Sequence, residues 1–175
     1  EQLGRVFDYL KATNQYESTL IVFTSDHGEQ LGDHYLFGKL GYFDASYHIP
    51  LIIRDPKRQF QNVKTLEHFS ESVDVMPTIL DWLGLEIPDQ CDGRSLLPFL
   101  ENEVPRSWRE EVHSEFDFRW IGSYQPMIEK RFGLLPDECS LVIIRDADYK
   151  YVHMTALPPL LFDVKRDPGE FINRV

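Results

Sequence analysis

The chain holds 175 residues, with 18 basic against 29 acidic side chains and a formal net charge of −11. That balance excludes a phosphate-backbone binder, which needs clustered Lys and Arg, so no nucleic-acid partner is expected. An apolar share of 42% excludes a disordered tail, and runs such as Leu20-Ile21-Val22-Phe23 fall far short of the roughly 20 residues of a membrane span.

Leu3, Val6, Phe7 and Leu10 recur at helical spacing and predict a helix at the start of the chain. With no initiator Met and no secretory pattern before it, the chain is expected to be a piece of a longer protein. Thr13-Asn14-Gln15 ends the helix, and the β-branched run from Thr19 to Thr24 predicts a strand covered on both faces, as in a parallel sheet. Residues 25–41 are polar and punctuated by Gly28, Gly32, Gly38 and Gly41, which predicts a loop at the strand's carboxyl end. Ligand chemistry in α/β sheets gathers at such ends. Ile49 to Ile53 reads as a second short strand, with Pro50 at its start or edge.

Asp74 as N-cap, Pro77 in the first turn and Gly84 as terminator bracket a helix with the stripe Met76, Ile79, Leu80 and Leu83. Residues 89–105 are turn-rich, with a helical turn near Ser95 to Leu100. The last third alternates: Val112 to Phe116, Leu141 to Arg145, a turn at Asp146-Ala147-Asp148, then Tyr149 to Met154 and Leu160 to Val164. The expected architecture is α/β, with residues 1–110 forming part of a core and 111–175 a small antiparallel sheet subdomain. Cys91 and Cys139 are too few for a disulfide framework and point to a reducing, cytoplasmic setting.

One stretch carries chemistry. Asp26 and His27 leave the buried run together, and Gly28 lets the backbone turn sharply beneath them. A carboxylate and an imidazole side by side are two metal ligands, and a full site needs others from elsewhere. Lys39, flanked by Gly38 and Gly41, is placed to swing its ammonium to the same mouth. A cation beside a metal suits an oxyanion such as phosphate or sulfate. The bland alternative is an ordinary Asp-His-Gly turn. For His34 and His48 a structural role is the default, as is capping for Asp33, and His68, His113 and His153 show no ligand spacing.

Ser25-Asp26-His27-Gly28-Glu29, Leu31-Gly32-Asp33-His34 and Gly38-Lys39 together resemble the second metal motif of the sulfatase branch of the alkaline phosphatase superfamily. Ile49-Pro50-Leu51-Ile52, the helix around Pro77-Thr78, Asp92-Gly93-Arg94-Ser95-Leu96, and Leu161-Phe162-Asp163-Val164 with Asp167-Pro168-Gly169-Glu170 and Asn173 follow in the family's order. Gly28 to His34 and Asp44-Ala45-Ser46-Tyr47 look most like phosphonate monoester hydrolases and related phosphodiesterases, with arylsulfatases and choline-type sulfatases as alternatives.

The resemblance implies an alkaline-phosphatase-like α/β sandwich of which this chain is the C-terminal portion. It implies one divalent ion, Mn²⁺ or Ca²⁺, held by Asp26 and His27, and Lys39 on a non-bridging oxygen of a small phosphate, phosphonate or sulfate ester. A homo-oligomer is expected for the full-length protein.

The family's nucleophile is a formylglycine made within a Cys/Ser-x-Pro/Ala-x-Arg motif. Cys91 is followed by Asp92-Gly93-Arg94 and Cys139 by Ser140-Leu141-Val142, so neither fits, and the modification is expected outside this chain. The isolated chain is therefore expected to be inactive. The contrasting reading is a non-catalytic binding module that keeps the fold.

Overall fold

The opening apolar stripe folds as α1 (Gln2–Ala12) in a computed structural model that describes residues 1–58, 65–101, 103–118 and 130–175. Asn14, at φ 57°, ends α1 in a Schellman turn: Gln15 N–H donates to Leu10 O and Asn14 N–H to Lys11 O. A 3₁₀ turn (Tyr16–Ser18) leads into β1 (Ile21–Thr24). The Arg54 guanidinium lies 3.8 Å from the centre of the Tyr16 ring and donates to Tyr16 O at 2.6 Å, fastening that turn to the strand beyond.

β1 pairs antiparallel with β4 (Leu51–Arg54), Ile21 opposite Arg54 and Thr24 opposite Leu51. The partner β1 finds among the described residues is antiparallel, and the parallel neighbours expected for the apolar run would come from chain upstream of it. An unbroken apolar run records the burial a strand is built for, not the direction of its neighbour, and Phe23 and Ile52 stay exposed among the described residues.

The expected loop is partly ordered into a ribbon of β2 (Gln30–Leu31) and β3 (Phe37–Gly38), followed by the short helix α2 (Asp44–Tyr47). Further on, α3 (Val75–Trp82) ends as foreseen at Gly84, φ 70°, with Leu85 N–H donating to Leu80 O. Asp74 does not cap α3. It enters from a 3₁₀ turn (Ser72–Asp74) with its backbone already helical, at φ −77° and ψ −18°, so its carboxylate misses the first free N–H groups.

Instead Asp74 is fully buried and accepts from Glu71 N–H, Arg94 N–H and the Arg109 guanidinium. Thr78, one turn into α3, donates to Asp74 O and accepts from Leu96 N–H, tying the Asp92–Leu96 segment to α3 ahead of α4 (Leu97–Leu100).

The last third forms one antiparallel sheet in the order β5 (Val112–Asp117), β6 (Ser140–Arg145), β7 (Lys150–Met154), β8 (Leu160–Phe162). Asp146 Oδ1 closes the β6–β7 turn by accepting from Asp148 and Tyr149 N–H. Leu141, Ile143, Val152, Phe162 and Val164 bury the inner face of the sheet against Phe43, the residue that precedes α2. That contact seats α2 on the sheet.

Candidate metal and anion site

Asp26 and His27 follow directly from β1, and three contacts define their turn. Ser25 Oγ donates to His27 O at 2.7 Å, and Gly28 N–H donates to Ser46 O at 2.8 Å. A Cβ at residue 28 would collide with the Ala45 carbonyl oxygen, so only glycine lets the loop lie this close to α2.

His27 Nδ1 stands 2.7 Å from Gly28 O. A carbonyl oxygen only accepts, so Nδ1 carries a proton, and Nε2 is the ring nitrogen left for a ligand. Nε2 lies 3.4 Å from Asp26 Oδ2, in the range of roughly 3–3.5 Å expected for neighbouring donors on one divalent ion.

The Asp26 side chain is 83% exposed. Its carboxyl is held below the usual aspartate value, first by its own backbone N–H, against a smaller push from desolvation, and then by His27 and Lys39. It is therefore ionised and ready as a ligand at neutral pH. Lys39 follows Gly38, at φ 88°, and makes no hydrogen bond or ion pair among the described residues. Its ammonium acts on Asp26 across space, as a free cation at the mouth of the site.

Among the described residues no three His, Cys, Asp or Glu side chains gather to hold a metal. Asp26 and His27 fit a metal ion as a carboxylate–imidazole pair, with the rest of the coordination shell to be supplied from elsewhere.

The remaining candidates have other surroundings. His34, at φ 52°, stacks on Phe43 with ring centres 3.6 Å apart and also meets Phe171. Asp33 accepts from Leu31 N–H. His48 is exposed, His68 packs on Phe99 and His113 pairs with Glu111. The Cys139 thiol is buried and donates to Leu135 O.

Sequence reasoning missed a second charged group just behind the site. Lys150 Nζ, 1% exposed, pairs with Glu170 Oε1 at 2.6 Å and Asp44 Oδ1 at 2.8 Å. Glu170 Oε2 accepts from Asp44 N–H at 2.7 Å, and Arg145 Nε reaches Asp44 Oδ2 at 3.1 Å. The signal was there to read: the period-two pattern of β7 puts Lys150 on the same face as Val152, and a lysine on a buried face demands a carboxylate partner.

A sulfatase family model matches residues 1–85. The multifunctional alkaline phosphatase superfamily protein PehA of Trinickia caryophylli is 58% identical over 98% of this chain and 33% of its own length. The crystal structure of the phosphonate monoester hydrolase of Agrobacterium radiobacter superposes with a TM-score of 0.85 at 47% identity, covering 98% of this chain and 34% of that one. N-acetylglucosamine-6-O-sulfatase of Bacteroides thetaiotaomicron is 33% identical over 99% of this chain and 29% of its length.

Residues 1–85 match the sulfatase family. The chain is more similar to the phosphonate hydrolase and PehA than to the glucosamine sulfatase, and it spans about a third of the length of each.

Proposed function

We propose that this chain is the C-terminal portion of a metal-dependent hydrolase of phosphonate monoesters and phosphate mono- or diesters. The observation that carries the reading is the Asp26–His27 pair. The proton on His27 Nδ1 is committed to Gly28 O, which leaves Nε2 and the ionised Asp26 carboxylate converging on one point.

Asp26 and His27 would hold a divalent ion, Mn²⁺ or Ca²⁺, which when bound supplies Lewis-acid stabilisation of the ester's oxygens. Imidazole favours Mn²⁺ of the two. Lys39 receives a non-bridging oxygen with a charge that no neighbouring carboxylate has neutralised, and Gly38 and Gly41 give its segment room to follow the substrate. The formylglycine nucleophile belongs to the remainder of the protein. Neither Cys91 nor Cys139 stands in a Cys/Ser-x-Pro/Ala-x-Arg motif. The isolated chain has no turnover of its own.

Greater identity to the phosphonate hydrolase than to the glucosamine sulfatase favours phosphorus over sulfur esters. Assays of the full-length protein on aryl phosphonate, aryl phosphodiester and aryl sulfate substrates, with and without a chelator, test this. The expected result is chelator-sensitive turnover that is fastest on the phosphorus esters and lost in Asp26→Ala. Turnover indifferent to both chelator and Asp26→Ala would overturn the reading.

A further inference from the structure

The Asp26–His27 turn has few side-chain ties to the fold. Gly28 N–H donates to Ser46 O and the glycine packs on Ala45 O, both within α2. Nearby polar side chains add nothing to this seam: among the described residues, the Gln30 amide and the Ser46 hydroxyl are buried without hydrogen-bond partners. The placement of the metal-ligand pair is therefore set by the placement of α2.

A helix of four residues has no stability of its own. α2 is held at its first residue by charge. Glu170 Oε2 takes the Asp44 N–H, Lys150 Nζ takes Asp44 Oδ1, and Lys150 and Glu170 neutralise each other in a site closed to water. Lys150 lies in β7 and Glu170 beyond β8, and both are buried. The path from them is short: Lys150 and Glu170 to Asp44, one turn to Ser46 O, across to Gly28 N–H, and so to the carbonyl that holds His27 Nδ1.

We propose that Lys150 and Glu170 are positioning residues for the Asp26–His27 pair, acting through the Asp44–Ser46 turn. The inference rests on the reading of that pair as metal ligands. It assigns the Asp167–Glu170 and Tyr149–Tyr151 segments, otherwise remote from any chemistry, a shared task. Groups that orient metal ligands in this indirect way alter metal affinity about 10–100-fold when removed.

The test uses the full-length protein as wild type, Lys150→Met, Glu170→Gln and Thr78→Ala. Hydrogen exchange read by mass spectrometry follows a peptide covering residues 25–31 in metal-free protein, and Mn²⁺ titration gives the half-saturation point. Lys150→Met and Glu170→Gln should speed exchange of that peptide about tenfold, as loss of one hydrogen bond does, and weaken Mn²⁺ binding about tenfold or more. Thr78→Ala removes buried hydrogen bonds to Leu96 and Asp74. It should lower Tm and leave both readouts alone.

If the charge variants lower Tm while peptide exchange and Mn²⁺ binding stay at wild-type values, the cluster is only a stabilising one and the proposal is overturned. Should Lys150→Met fail to fold, Glu170→Gln, which keeps an oxygen for Asp44 N–H, decides by the same two readouts. Failure of the metal reading is separate. A wild-type protein that binds neither Mn²⁺ nor Ca²⁺ sinks that reading, while the metal-free exchange measurement still decides the positioning.

Discussion

Two groups of charges stand on either side of α2, and they are built on opposite rules. On one side Asp26 and Lys39 are exposed, His27 is half-buried, and all three are sparsely bonded. On the other, Asp44, Arg145, Lys150 and Glu170 are closed in, and each charge meets an opposite one. A similar saturated centre lies at Asp74, with Arg109 and two backbone N–H groups around one buried carboxylate. On the proposed reading the contrast separates chemistry from architecture: unspent bonding capacity marks the candidate site, and spent capacity marks the frame.

Substitutions can break that contrast, and the largest effect belongs to Asp26. Asp26→Ala in the full-length protein should cut kcat by more than the roughly 10²–10³ typical of losing one oxyanion contact, because it removes a ligand as well as a charge. Its Tm should not move. A drop in Tm matching that of a core variant would place Asp26 in the frame instead.

Asp74→Ala is the mirror experiment. Stripping one partner from a buried, hydrogen-bonded pair should destabilise by about 3–5 kcal/mol, read from urea unfolding, with kcat per folded molecule unchanged. Lys39→Ala comes next, with kcat down roughly 10²–10³ and stability intact, since nothing in the fold leans on its ammonium. A large loss of stability with normal turnover would reverse that assignment.

The smallest effect is on acid stability. Burial raises the Asp44 carboxyl, but Lys150 and then Arg145 outweigh it and hold it below the ordinary aspartate value. A depressed folded value means stability present above the unfolded value of about 3.9 and lost as pH falls below it. Stability of the wild type should therefore fall through that acid range, and Asp44→Asn should flatten the fall. An unchanged slope would mean that other carboxylates set it.

Much of this was legible before any coordinates. Spacing alone located α1, α3 and the four strands of the last third, because each carries a clean period and a terminating Asn, Gly or turn. Asp26, His27 and Lys39 were legible as types of residue at a strand's end. Their convergence was not, because it depends on the Gly28 contacts with Ala45 and Ser46, residues in another element. The misreading of Asp74 has the same origin. A local rule assigned it to the helix it precedes, and a long-range partner, Arg109, claimed it instead. The direction of the strand paired with β1 escaped for a simpler reason: side-chain pattern reports burial, and burial is indifferent to the sense of the neighbouring strand.

The bond from Asp44 N–H to Glu170 joins residues 126 positions apart. At synthesis rates of about 5–20 residues per second, the turn that carries Ser46 must wait roughly 6–25 s for its last anchor to be made. Through that interval Phe43 waits for the sheet residues it packs on. The seat of the Asp26–His27 turn is thus completed only after residue 170 has been made.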